Sequence, residues 1–388
     1  MSRIAFIILC LVSGCAKQPH VAQAGEIAVA PAPAPAPRTP APRAWADTAR
    51  PLSTLSKGWN RIPGRQGTGC AHDSTFAFKV RPGLPDKVMI FLNGGGACWR
   101  AAECDPKSKP ATYTMTADSA NDASIRQGIF DVANEANPVR DYTMIYIPYC
   151  TGDVHLGTRT VDYEKGSKDF AVRHEGAANL EAVLDWVYSN IKSPRLVFVA
   201  GSSTGAIASP VVAAKMARRY QRARVVQLGD AAGGYLAPAI PGLLAGWGAT
   251  DYLERDGAYR SIDSANFTFE RLYLAASRSA PRVHFAQYNA VEDATQLYFL
   301  SLLGIKGQPL SKLLATNLAQ ISNGTSWFHS YTAPGKTHTI LRSNAMYTTK
   351  VDGVLFNDWL TQLLDGESVE DVGESMVKPP KAQKATKK

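Results

Sequence analysis

One serine flanked by glycines, seven histidines and a scatter of carboxylates are the side chains of this chain that could carry out group transfer. The serine is Ser203, at the centre of Gly201-Ser202-Ser203-Thr204-Gly205 in the run VFVAGSSTGAIASPVVAAKMA. Gly-x-Ser-x-Gly between a β-branched apolar run and an alanine-rich stretch is the spelling of a nucleophile elbow, a strained strand-to-helix turn that holds a hydroxyl above the sheet edge. Small residues also occupy ordinary strand-to-helix turns, so the pentapeptide needs company before it specifies catalysis. Ser202 precedes the centre and is expected to face backbone or packing.

Acyl transfer by such a serine requires a base, an acid that orients the base, and amide donors for the oxyanion. A glycine-rich strand end, Asn93-Gly94-Gly95-Gly96 in FLNGGGACW, offers amides with no side chain in the way. The amide after the nucleophile, that of Thr204, is the natural second donor. A plain turn is the alternative for the glycines. A phosphate loop fits less well, because Cys98-Trp99 stands where Gly-Lys-Ser/Thr would be required. Chain order in this hydrolase class runs serine, acid, histidine. Downstream of Ser203 lie His284 and His329, both inside predicted strands, and His338, in the loop APGKTHTIL. His338 is therefore the expected base. For the acid, Asp230 in QLGDAAGG and Asp293 in NAVEDATQL both follow a strand, and position nearer the histidine loop favours Asp293.

These groups have to be positioned by a sheet. KVMIFLN, YTMIYIPY, RLVFVA, ARVVQLGD, RVHFAQYN and TSWFHSYTA read as short buried strands. Between them, Leu180, Val183, Leu184, Val187, Tyr188 and Ile191 recur at helical spacing, and VLFNDWLTQLL reads as a closing helix. Strands alternating with helices imply βαβ units: an α/β fold of the α/β-hydrolase kind, with an open, mostly parallel sheet and helices on both faces. In such sheets ligands bind beyond the carboxyl ends of the strands, where every candidate above falls.

The ordered combination FLNGGGACW, PYCTGDVHLG, AGSSTGA, GDAAGGYL, EDATQL and GKTHTI resembles the pectinacetylesterase and Notum family of secreted carboxylesterases, over roughly Cys70 to Leu341. Carried over, the resemblance implies a triad of Ser203, Asp293 and His338, with oxyanion donors at Gly95, Gly96 and Thr204. It implies that Asp230 lines the site without being the triad acid. Trp99 is expected in the pocket, with Asp153 and His155 on the alcohol side, although a capped strand end accounts for that pair equally well. The chain departs from the family at Ala97, where a tryptophan is usual, and at Thr204, where an alanine is usual.

The ends bound the setting. Arg3, the apolar run Ile4 to Val12 and Val12-Ser13-Gly14-Cys15 read as a signal peptide over residues 1–15 closing on a lipobox, with Cys15 lipidated; cleavage near Ala24 is the plainer alternative. Residues 16–49, rich in Ala-Pro repeats, read as an extended tether, 50–366 as one domain, and 367–388 as a basic disordered tail. Of the net charge of +9, residues 1–50 supply +3 and 367–388 supply +1, leaving +5 for the folded region. That mild bias, with no helix-turn-helix or zinc-finger pattern, argues against nucleic acid. Cys70, Cys98, Cys104 and Cys150 remain after the signal, an even set in an exported chain. The short loop favours Cys98 with Cys104, which leaves Cys70 for Cys150. A zinc site lacks the paired ligand spacing.

The expectation is a cofactor-free serine carboxylesterase, a monomer held in the cell envelope by its anchor and facing the outer membrane or periplasm if the cell is Gram-negative. Its substrate would be an O-acetylated polysaccharide. Longer acyl, lipid-linked or polyester substrates form a second reading, and a glycan-binding lipoprotein without catalysis a third.

Overall fold

Apolar residues on alternate sides of one central strand split the interior in two. On β3, Val88, Ile90 and Leu92 pack into one core, and Met89 and Phe91 into the other. The computed structural model describes residues 49–117, 126–165 and 168–377. The expected lipobox at Cys15, most of the tether and the segment from Lys378 lie outside them.

The strands are β1 (Asn60–Pro63), β2 (Ala77–Arg81), β3 (Leu84–Leu92), β4 (Tyr142–Ile147), β5 (Arg159–Lys165), β6 (Lys168–His174), β7 (Leu196–Ser202), β8 (Arg224–Asp230), β9 (His284–Ala290) and β10 (Phe328–Ala333). Eight form a sheet in the order β1-β2-β4-β3-β7-β8-β9-β10. From β4 to β10 every pairing is parallel, and β1 and β2 add an antiparallel edge. β5 and β6 pair apart from it as a hairpin. The fold is the α/β-hydrolase arrangement that the alternating pattern specifies.

The longer helices are α1 (Gly176–Asn190), α2 (Thr204–Arg219), α3 (Ile240–Gly246), α4 (Ala249–Arg255), α5 (Phe269–Ser279), α6 (Ala294–Leu302), α7 (Leu310–Gly324) and α8 (Phe356–Asp365). Residues of α1 to α7 pack into the first core, and α8 covers the other face with Phe356, Trp359, Leu360 and Leu363. None of the described helices is long and apolar enough to cross a membrane. Pro210 lies inside α2 without breaking it. Proline leaves a carbonyl one turn back without its amide partner, and the Ser209 hydroxyl donates to that oxygen, of Ala206, at 2.8 Å.

Two disulfides fasten loops at the site end of the sheet, Cys70 to Cys150 and Cys98 to Cys104. The boundary expected at residue 367 falls too early. Val369 and Val372 are buried, and Val372 bonds along the edge of β10, its amide donating to Ser330 O and its carbonyl accepting from Thr332 N, each at 2.8 Å. The run Glu367 to Asp371 reads as polar tail because its acids dominate, but two buried valines suffice to dock it.

Candidate active site

Ser203 stands where β7 ends and α2 begins, with φ 55° and ψ −122°. A non-glycine residue in that region is strained, and such strain concentrates at functional turns. Further positive φ angles at Val154, His155, Ala231 and Thr339 cluster beside the same strand ends. The glycines around the serine are dictated by contact. A Cβ on Gly205 would run into the carbonyl of Leu92, and one on Gly94 would stand 2.7 Å from Ser203 Cβ. The glycine-rich strand end is therefore pressed directly against the elbow.

His338 and Asp293 meet. His338 Nδ1 lies 2.7 Å from Asp293 Oδ2, with Asp293 wholly buried and His338 about one-fifth exposed. Asp293 also caps α6, its Oδ1 accepting from the amides of Thr295 and Gln296. Gln296 donates through Nε2 to Asp293 Oδ2 at 3.1 Å and accepts from the Gly234 amide at 2.8 Å. This residue, present in the sequence only as a landmark beside the acid, holds the carboxylate in place.

Asp230 has a different position from the one expected. It is buried, and it lines no part of the cleft described below. Its carboxylate accepts from the amides of Ile340 and Leu341 and from the Ser202 hydroxyl, all at 3.0–3.1 Å. Burial outweighs those donors and pushes its pKa up to about 6. Asp230 thus straps the His338 loop to the nucleophile strand, and the expectation that it touches substrate is corrected.

Asp153 and His155 require the same correction. Asp153 accepts from Thr151 Oγ1 at 2.6 Å and from the Gly176 amide, at the start of α1, at 2.6 Å. His155 Nε2 bonds the Asn93 carbonyl at 2.8 Å, where the glycine-rich segment begins. Both are buried and absent from the cleft wall. Burial raises Asp153 to about 6 and lowers His155 to about 4. A sequence displays a polar pair after a strand but not the backbone that closes over it.

Beside Ser203 opens a cleft. Its wall includes Gly96, Thr204, Trp99, Ile207, Tyr235 and Phe299, with Ala97, Val154, Leu243 and Trp247 completing a largely apolar surface. Gly96 and Thr204 thus share the cleft with the serine, whereas Gly95 does not line it. Among the described residues, neither the Gly95 nor the Gly96 amide has a hydrogen-bond acceptor. Ile207 is one helical turn past the serine, the signal by which it could have been found. The Cys98–Cys104 loop carries Trp99, and Trp247 Nε1 donates to Cys98 O at 2.9 Å. The group of metal-ligating types found close together among the described residues is Cys98, Cys104 and His174. Its two sulfurs are bonded to each other.

A family model described as pectinacetylesterase matches residues 62–239. Over that stretch the chain is similar to the pectinacetylesterase family. The stretch matched by the pectinacetylesterase model contains the elbow and the glycine-rich strand end but stops short of Asp293 and His338. Among characterised relatives, palmitoleoyl-protein carboxylesterase NOTUM of Schmidtea mediterranea is 28% identical over 170 residues, 42% of this chain and 31% of the relative. Palmitoleoyl-protein carboxylesterase notum1a of Danio rerio is 26% identical over 118 residues, 30% of this chain and 23% of the relative. The matches thus span less than a third of either relative's own length. The Wnt deacylase Notum from Drosophila superposes with a TM-score of 0.58 at 17% identity, covering 81% of this chain and 96% of that structure. It shares the fold of this chain.

Proposed function

We propose that the chain is a serine carboxylesterase that cleaves esters of apolar acyl groups longer than acetyl. The observation that carries this reading is the apolar cleft that opens beside the strained serine and shares its wall with Gly96 and Thr204. An acetyl group would leave most of that surface unfilled, and polysaccharide hydroxyls would find few polar partners on it. The relatives' names, which specify a palmitoleoyl ester, agree with an apolar acyl group.

In the proposed reaction Ser203 Oγ attacks the ester carbonyl while His338 Nε2 takes its proton. Nδ1–H of His338 donates to Asp293, which fixes the tautomer and stabilises the imidazolium. Amides of Gly96 and Thr204 hold the oxyanion, each worth about 3–4 kcal/mol of barrier. His338 returns the proton to the departing alcohol. Water then attacks the acyl-enzyme with His338 again as base, and the free acid leaves. No step calls for a metal or organic cofactor. The lipobox at Cys15 and the proline-rich stretch after it give the domain a membrane-anchored setting.

The test is hydrolysis of p-nitrophenyl esters from acetate to dodecanoate by the full chain and by Ser203→Ala. The expected result is turnover that rises beyond acetate and vanishes in the variant. A preference for acetate would return the reading to polysaccharide deacetylation, and equal background from both proteins would remove the esterase reading.

A further inference from the structure

α6 starts on the proposed triad acid and six of its nine residues are apolar, yet only Gln296 and Leu300 of its residues are buried. Leu297 is 38% exposed and Tyr298 40% exposed, adjacent members of the small set of large exposed hydrophobic residues described. Phe299 in α6 and Leu303 just after it form part of the cleft wall. One side of this helix therefore lines the cleft, and the neighbouring side faces water. Contiguous exposed apolar surface at a binding cleft marks an interaction site more often than chance packing does.

The sequence that follows the start of α6 is basic. From Ala294 to Val351 the sequence contains no Asp or Glu, but it contains Lys306, Lys312, Lys336, Arg342 and Lys350. Lys336 is at the start of α6, where its carbonyl accepts from the Ala294 amide. Lys306 follows the other end. Arg100 reaches Leu302 O at 3.5 Å, although its charge is matched by Glu103. Glu292, exposed just before α6, is the exposed acid nearest to it in sequence.

We infer that α6 is an interfacial helix that docks on an anionic lipid bilayer. Leu297 and Tyr298 enter the headgroup–acyl boundary, and Lys306 and Lys336 lie over anionic headgroups. Exposed apolar side chains flanked by cations partition into such an interface, and each cation near the surface strengthens binding about fivefold. The cleft mouth then faces the bilayer, so that an acyl ester held there enters past Phe299 and Leu303; this last step rests on the esterase reading, whereas docking does not. A soluble anionic polymer would satisfy the lysines but leave Leu297 and Tyr298 in water.

The experiment uses the chain without its expected signal peptide and lipidated cysteine, residues 1–15, which removes the lipid anchor and the thiols outside the disulfides, with an environment-sensitive fluorophore on Ser301→Cys in exposed α6. Vesicles of phosphatidylglycerol and phosphatidylcholine should shift the emission to the blue, and phosphatidylcholine alone should shift it far less. Leu297→Glu with Tyr298→Glu should weaken vesicle binding by at least about tenfold, while hydrolysis of dissolved p-nitrophenyl butyrate stays at the level of the parent. No shift with anionic vesicles, or a shift indifferent to those two substitutions, would overturn the proposal. So would a shift caused by soluble polygalacturonate and not by vesicles. A blue shift in a chain without ester turnover would support the docking and remove the esterase reading.

Discussion

Replacing Asp230 separates the strap from the chemistry. In Asp230→Ala two amides, of Ile340 and Leu341, lose a buried acceptor. Each buried donor left unpaired costs about 1–3 kcal/mol, roughly 2–6 kcal/mol together. Against this, burial that raises a carboxyl from 3.8 to about 6 means that the ionised form is held at a cost of about 3 kcal/mol at neutral pH. The variant escapes that cost, so the net loss of stability is expected to be about 3 kcal/mol or less. Activity should suffer far more. Thr339, with φ 64°, joins the strapped residues to His338, and a β-branched residue there relaxes once its neighbours are released. Displacing the imidazole by about 1 Å costs on the order of 100-fold in kcat. Denaturant unfolding and p-nitrophenyl butyrate kinetics on the same preparations measure both quantities. Parental kcat in Asp230→Ala would refute the strap. A loss as deep as that of Asp293→Asn would make Asp230 the orienting acid instead.

Other expectations follow from the same geometry. Asp293→Asn should lower kcat by about 10⁴-fold with little change in KM, read from steady-state kinetics, because the wrong imidazole tautomer is then favoured. Ile207→Trp, which fills the cleft beside the serine, should shift the ester series toward acetate and leave acetate turnover within about threefold. Cys98→Ser with Cys104→Ser should cost about 2 kcal/mol, the loop-closure value for so short a loop, and raise KM for long esters as Trp99 loosens. His155 and His174, both lowered to about 4 by burial, are lost sources of stability as pH falls from 6.5. Asp153 and Asp230, both raised to about 6, bind protons in the folded state before the unfolded one, so their effect runs the other way from pH 6 to 4. The two pairs offset each other. Asp153→Asn should steepen the acid loss of stability by about 1.4 kcal/mol per pH unit in that window, measured by unfolding at pH 6, 5 and 4.

The parallel strands were legible because their residues are buried on both faces and read as unbroken apolar runs, as in Leu196 to Ser202. The antiparallel additions were not. In Arg159 to Lys165 charged residues recur among the apolar ones, and nothing in that run distinguishes an exposed hairpin from a loop. Within the site, residues whose roles are set by backbone position, Ser203 and the glycines, could be read from spelling. Those set by distant partners could not: Asp230 finds its amides 110 residues away, and no local pattern encodes that closure. The cleft wall was the least visible part, because Val154, Tyr235 and Leu243 are ordinary apolar residues until the fold gathers them.

The short run that lies along β10 has a consequence for how copies of this chain behave. An open sheet ends in a row of unused amides and carbonyls, a template for joining to another molecule. On β10 the pairing of Ser330 and Thr332 with Val372 uses that row, and Asp371 Oδ1 takes the Ser330 amide as well. At the far side, β1 is only four residues long and ends in Pro63, which has no amide to offer. Both rims of the sheet are therefore blunted, and a chain cut at Gly366 would expose one of them as a surface for strand exchange and fibril growth.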